Sequence, residues 1–220
     1  MSEFVGKVAV ITGASSGIGK KTAELLEQRG AHVVTFARSG GTVTGDVADP
    51  EAVERLFTET EQRFGPCDIL VNNAGLADPA LLVETSFERW RKTFAVNVDG
   101  IYLTCRRALP SMLERGRGAI VNVASISGVV GPEKFPGFVA YCASKGAVIS
   151  LTEALAVEVK GRGVRVNAVS PGSVDTPMWA HVSGGAPASM TPEEVAETIL
   201  FLASDRSRPM NGQNLNVFSS

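Results

Sequence analysis

Residues 12–19 read Thr12-Gly13-Ala14-Ser15-Ser16-Gly17-Ile18-Gly19. A β-branched apolar run at residues 7–12 leads straight into them, and a segment of helical period follows near residues 17–29. A strand that turns through glycines into a helix is the opening unit of an α/β sheet. Glycines there permit a tight turn, close backbone approach to a bound group, and packing of helix on strand. The helix N-terminus offers free N–H groups and the positive end of its dipole, a seat for a pyrophosphate. The hydroxyls of Ser15 and Ser16 add donors. The spacing is Gly-x3-Gly-x-Gly, wider than the commonest Gly-x-Gly-x-x-Gly fingerprint. Alone, such a turn is also a plain strand–helix connection; its place after the first strand of an alternating chain favours the phosphate seat.

Outward from this turn, short apolar runs alternate with longer helical segments. Candidate strands are residues 7–12, 32–36, 69–72, 119–124, 164–169 and 214–217, several of them apolar throughout, as in parallel strands covered on both faces. Candidate helices lie near residues 17–29, 50–64, 87–115 (expected to be broken), 138–160 and 192–203. Asp49-Pro50 reads as an N-cap with proline at the first helical position, and Thr191-Pro192-Glu193-Glu194 repeats it with a capping box. The order predicts a single-domain, Rossmann-type, doubly wound α/β fold with a parallel sheet and helices on both faces. At 220 residues one core suffices, so residues 1–220 are expected to form one dinucleotide-binding and catalytic domain. The least regular part is residues 177–190, a short substrate loop.

A formal net charge of -2, with acids and bases interspersed, gives no basic field for nucleic acid and no polybasic run for a membrane surface. No apolar run approaches the ~20 residues that span a bilayer, and Met1-Ser2-Glu3-Phe4 lacks a signal-peptide pattern. Cys67, Cys105 and Cys142 are odd in number and have no metal-ligand spacing, so they read as reduced thiols of a cytoplasmic protein, and no metal is expected.

The second strand runs into Phe36-Ala37-Arg38-Ser39. An acid there would bind the ribose 2′-hydroxyl of NAD, whereas an arginine suits the 2′-phosphate of NADP. Arg38 therefore favours NADP(H), with NAD(H) as the lesser choice; its other reading is a solvated surface arginine. Tyr141 and Lys145 stand four positions apart in a helical stretch, neighbours on one face. A phenol titrates near pKa ~10, and a nearby ammonium favours its phenolate. Tyr141 would then give a proton to a carbonyl oxygen as hydride arrives and take it back in reverse. Lys145 would also hold the cofactor's ribose hydroxyls. Residues 119–124 end at Ser125, where ligands bind beyond the carboxyl ends of strands, and its hydroxyl would polarise the carbonyl. Ser127 is a rival, as a turn former.

With these residues in view, the chain resembles the classical short-chain dehydrogenase/reductase family over nearly its whole length. Residues 12–19 are similar to the family's cofactor turn, which implies roles for Gly13, Ser15, Ser16, Gly17, Ile18 and Gly19. Asn72-Asn73-Ala74-Gly75 resembles the segment that supports the sheet and lines the adenine side. Asp46-Val47 resembles the pair beside the adenine ring. Asn97, within Val96-Asn97-Val98, is similar to the helix asparagine that holds a proton-relay water. Ser125, Tyr141 and Lys145 complete the family's tetrad. Pro171-Gly172, with Val174 and Thr176, resembles the segment that closes over the nicotinamide and its phosphates.

Three departures stand out. Ser125 and Tyr141 are 16 positions apart, more than is usual, with the extra length in Gly131-Pro132-Glu133-Lys134-Phe135-Pro136-Gly137. That insertion either borders the substrate cleft or is a plain surface loop. The stretch from Arg38 to Asp46 has no room for a helix common in the family. The lid is reduced to residues 177–190, with Met178 and Trp179 as its main apolar groups, either open or ordered only on binding; His181 stands within it. The tail Gly212-Gln213-Asn214-Leu215-Asn216-Val217 is similar to the family's last strand.

The resemblance implies an NADP(H)-dependent oxidoreductase that interconverts a small-molecule ketone or aldehyde, 3-oxoacyl thioesters included, and an alcohol. The opposing reading is a catalytically silent NAD(P)-binding sensor or scaffold. A homodimer or homotetramer is implied too; Ala147, Leu151, Ala154 and Leu155 form an apolar stripe that either meets a partner or faces the sheet.

Overall fold

Strand runs apolar at every position can exist only where both faces are covered, and the sheet obeys this. Every residue of β1 (Val8–Thr12) and β4 (Ile69–Asn72) is buried. With β2 (His32–Ala37), β3 (Val43–Thr44), β5 (Gly118–Val123), β6 (Val164–Pro171) and β7 (Asn214–Val217) they form one seven-stranded parallel sheet, ordered β3-β2-β1-β4-β5-β6-β7. The computed structural model describes residues 3–132 and 134–218. Met1, Ser2 and Glu133, used in the readings above, lie outside the described residues.

Two apolar layers sandwich the sheet. On one face α1 (Gly17–Gln28) and α7 (Pro192–Ala203) bury Leu26, Val195, Ile199 and Leu200 against Ala9, Ile11 and Val71. On the other, α2 (Pro50–Phe64), α4 (Gly100–Glu114) and α5 (Val139–Glu158) bury Leu56, Phe57, Ile101, Met112 and Val148 against Val10, Leu70 and Ile120. The doubly wound architecture is as the sequence predicts. Asp49 caps α2 by accepting from the Glu51 amide at 3.0 Å, and Thr191 and Glu194 close the capping box of α7.

Two readings need correction, and a third, the broken helix, gains detail. The sheet has a seventh strand, β3, where six were expected; two residues pairing Phe36 and Ala37 are too short to leave a periodic signal. The helical stretch 87–115 does break, into α3 (Phe87–Phe94) and α4, but through a π-helical turn at Ala95–Asp99. Residues 177–190 are less irregular than they read, because Thr176 caps a short helix, α6 (Pro177–Val182), by accepting from the Trp179 amide at 3.2 Å.

A buried polar chain crosses the α4/α5 face. Thr104 donates to Asn72 Oδ1 at 2.7 Å, Asn72 Nδ2 donates to Asn122 Oδ1 at 2.9 Å, and Asn122 Nδ2 donates to the Thr152 hydroxyl at 2.9 Å. It ties α4, β4, β5 and α5 in one register, and in a dry interior each bond resists slippage because an unpaired amide there is costly. Among the described residues no helix is long and apolar enough to cross a membrane. Cys67, Cys105 and Cys142 are free, and burial pushes the first two thiols up to about 12.

Candidate active site

The order β2-β1-β4-β5 places the point of reversal between β1 and β4, and a crevice opens beyond their carboxyl ends. There lies a cleft of about 730 Å³. It gathers nearly all the residues singled out from the sequence: Gly13 and residues 15–18, Arg38, Asp46, Val47, Asn73, Ala74, Gly75, Ser125, Tyr141, Lys145, Pro171, Gly172, Val174 and Thr176. Gly19 and Asn97 do not line it. A larger groove of about 960 Å³ sits at the opposite, amino end of the strands, among Lys7, Asp68, Arg117 and Arg165, far from this constellation.

The glycine turn explains itself atom by atom. A Cβ on Gly19 would stand 2.3 Å from Asn73 Nδ2, and one on Gly13 would stand 2.7 Å from the Ala74 Cα. These two glycines let the Asn73 side chain reach the turn, where it donates to the carbonyls of Thr12 and Gly13 at 3.1 and 3.0 Å. Asn73 is therefore a brace for the turn. Gly17, at φ +55°, is the one that faces the opposite wall, with a Cβ falling 3.0 Å from Thr176 Cγ2. Ser16 begins α1 with no side-chain cap bond. The first amides of that helix therefore have no side-chain acceptor from the cap.

At the other end of the cleft, α5 carries Tyr141 and Lys145. Lys145 is buried, donates to the Val123 carbonyl at 2.8 Å and sits 5.7 Å from the Tyr141 ring centre. Burial lowers its ammonium to about 8. Burial raises the Tyr141 phenol, opposed by a hydrogen bond with Ser125 and reinforced by Cys142. Ser125 follows β5 and its hydroxyl accepts from the Ser127 amide at 3.1 Å. Ser127 thus forms the turn that fixes Ser125, although it also lines the cleft.

Asn97 is fully buried in the π-helical turn, a distortion often found at functional sites. Its Oδ1 accepts from the Leu76 amide at 2.7 Å, and its Nδ2 donates to the Leu76 carbonyl at 3.0 Å and to Ser144 Oγ at 2.9 Å. Ser144 in turn donates to the Tyr141 carbonyl at 2.8 Å. Sequence reading missed Ser144, whose signal was its place three residues beyond Tyr141. It also missed Lys92, Phe138 and Phe218 in the cleft wall.

The sequence profile of the short chain dehydrogenase family matches residues 7–186. The chain belongs to the short-chain dehydrogenase family. The 3-oxoacyl-[acyl-carrier-protein] reductase FabG of Thermotoga maritima is 37% identical, with 96% of each chain covered. The cis-4-hydroxycyclohexanecarboxylate dehydrogenase of Sinomonas cyclohexanicum is 40% identical over 97% of this chain and 96% of its own. A Brucella melitensis 16M crystal structure described as ribose-5-phosphate isomerase superposes with a TM-score of 0.91 at 36% identity, covering 98% of this chain and 92% of that one. That last likeness is one of fold, which by itself carries no activity.

As a short-chain dehydrogenase, the protein is an oxidoreductase that acts on CH–OH and carbonyl groups of small molecules with NAD(P). Its cleft fits such a cofactor. Lys145 has one hydrogen-bond acceptor among the described residues, leaving ammonium protons for ribose hydroxyls. Gly75 leaves space beside it, since a Cβ there would be 3.5 Å from Lys145 Nζ and 3.6 Å from Asn97 Oδ1. Residues 16–18 at the start of α1 would hold the phosphates, and Thr176 faces them across the cleft.

Proposed function

We propose that the protein is an NADP(H)-dependent reductase of ketones or aldehydes, 3-oxoacyl groups included, reversible as an alcohol dehydrogenase. One observation carries this reading: the buried Lys145 ammonium lies beside Tyr141, with Ser125 lining the same cleft as the phenol and the glycine turn. The nicotinamide supplies the hydride in reduction and accepts it in oxidation.

The protein's own groups handle the proton. Ser125 Oγ and the Tyr141 hydroxyl both donate to the substrate's carbonyl oxygen. As that carbon gains hydride, its oxygen takes the Tyr141 proton, giving the alcohol and a phenolate. The Lys145 ammonium stabilises the phenolate, and water returns the proton to Tyr141. Asn97 supports that relay: its side chain, spent on Leu76 and Ser144, fixes the π-helical backbone beside Lys145.

Arg38 supports NADP(H) over NAD(H). It is exposed at the end of β2, lines the cleft, and has no hydrogen bond or ion pair among the described residues. A 2′-phosphate would give its planar guanidinium a bidentate partner. Asp46 and Val47 line the same end and would flank the adenine. We also infer self-association as a homodimer or homotetramer. The face that α5 turns on the sheet holds Ser144, Lys145, Val148, Thr152 and Ala156, so the Ala147–Leu151–Ala154–Leu155 stripe lies beside it, with Ala154 exposed. The unpaired thiols accord with a cytoplasmic setting.

The decisive test is steady-state reduction of ketones, aldehydes and 3-oxoacyl thioesters, following NADPH and NADH separately. Turnover favouring NADPH is expected. Silence with both, in protein that binds one of them, would reverse the reading in favour of a sensor.

A further inference from the structure

The insertion between Ser125 and Tyr141 is fastened at two places. Lys134 Nζ donates to the carbonyls of Val129 at 2.5 Å and Ile126 at 3.5 Å, folding the loop back on the end of β5. The Ala80 amide donates to the Gly137 carbonyl at 3.0 Å, tying the loop to the segment after β4. Held this way, Phe135 meets Phe138 edge-on with ring centres 6.4 Å apart, and Phe138 meets Tyr141 edge-on at 6.0 Å. All three line the cleft, although Phe135 is 60% exposed. An aromatic ladder thus runs from the loop to Tyr141.

The same cleft is lined by Met178, Trp179 and Val182 of α6 and by Phe218 beyond β7. Among the described residues, the lining contributed by residues 125–141 and 173–190 carries no charged side chain. The charges in the cleft (Arg38, Asp46, Lys92 and Lys145) come from other segments. Large apolar side chains left exposed inside a cleft mark a surface made for an apolar occupant. An anion placed against those two segments would lose hydration without gaining a partner from them, since the cleft's lysines, Lys92 and Lys145, stand on other segments.

We propose that the substrate, beyond its reacting carbonyl, is a bulky uncharged hydrocarbon ring or branched chain, held between Phe135 and Phe138 on one side and Met178 and Trp179 on the other, and that Phe135 is a specificity-determining residue. This deepens the reading of Tyr141 as the acid/base group and rests on it for the site of reaction.

The test compares 4-tert-butylcyclohexanone with its anionic counterpart 4-oxocyclohexanecarboxylate and with acetone, in the full-length enzyme with NADPH. The uncharged ring is expected to have the highest kcat/KM, by ten-fold or more. In Phe135→Ala the ratio of kcat/KM between the bulky ketone and acetone falls about ten-fold, and Phe135→Leu restores most of it. Calorimetric binding of 4-tert-butylcyclohexanol to NADP⁺-saturated protein weakens about ten-fold in Phe135→Ala. Preference for the anionic ring, or an equal loss on all three ketones, overturns the proposal. Binding that depends on Phe135 without any turnover would sustain the apolar pocket and sink the acid/base reading instead.

Discussion

The Lys145 ammonium donates to the carbonyl of Val123, the last residue of β5, across 2.8 Å. Two residues further on stands Ser125, so this bond pins helix α5 to the strand end that carries the third member of the site. It also holds a cation in the interior, with consequences for pH.

Burial takes the Lys145 ammonium from its ordinary 10.5 down to about 8. Between those values the unfolded chain holds a proton that the folded one lacks, so this group makes stability rise with pH through that window. Below about pH 8 the buried cation destabilises the cofactor-free protein. Lys145→Met is therefore expected to be most favourable relative to the parent at pH 7, with the difference shrinking towards pH 10.5. Urea midpoints at pH 7, 9 and 10.5 read this directly, and a difference constant with pH would refute the buried-cation account.

Tyr141→Phe removes only the exchangeable proton. We expect kcat to fall by roughly 10²- to 10⁴-fold, the usual worth of a positioned acid/base group, with the urea midpoint little changed. A variant retaining more than a tenth of the parent's kcat would take the proton away from Tyr141.

Arg38→Ala should lower the NADPH-to-NADH ratio of kcat/KM about ten-fold, since a hydrogen bond to a charged group contributes about 1.5–3 kcal/mol. Because Arg38 is exposed and unpaired among the described residues, its loss should leave thermal stability unchanged. An unaltered ratio would return Arg38 to the solvated surface.

Gly19→Ala places a Cβ 2.3 Å from Asn73 Nδ2 and 2.6 Å from the Gly13 carbonyl. Overpacking of this kind costs about 1–3 kcal/mol, which for a chain of this size lowers Tm by roughly 2–4 °C per kcal/mol. Calorimetry of the variant without cofactor separates this packing role from any effect on binding; an unchanged Tm would contradict it.

Most of the fold was legible because parallel strands covered on both faces write themselves as unbroken apolar runs, and because Asp49 and Thr191 announce their helices chemically. β3 was not, since two residues held by pairing alone leave no pattern. The glycine turn was legible as a strand-to-helix turn, yet the division of labour within it was not: that Gly13 and Gly19 yield to Asn73 while Gly17 faces Thr176 depends on chain brought from 54 to 159 positions away. The same holds for Asn97. Its motif marked it, but the π-helical turn and the bond to Ser144 arise only when α5 packs beside that turn. The aromatic wall was hidden because Phe138 read as the start of a helix and Phe135 as part of an insertion that either bordered the cleft or was plain surface, until the Lys134 and Ala80 bonds set their rings in line with Tyr141.

The short lid carries its own scaffolding. Trp179 Nε1 donates to the Ala186 carbonyl at 2.8 Å, the Asp175 amide donates to the Met190 carbonyl at 2.9 Å, and the Met190 amide donates to the Ser173 carbonyl at 3.2 Å. A flap already stitched at its base has little conformational entropy left to lose when a ligand arrives. Its amide protons should be protected from solvent exchange in the free enzyme, and substrate capture should proceed as encounter with a formed surface instead of waiting for a loop to fold.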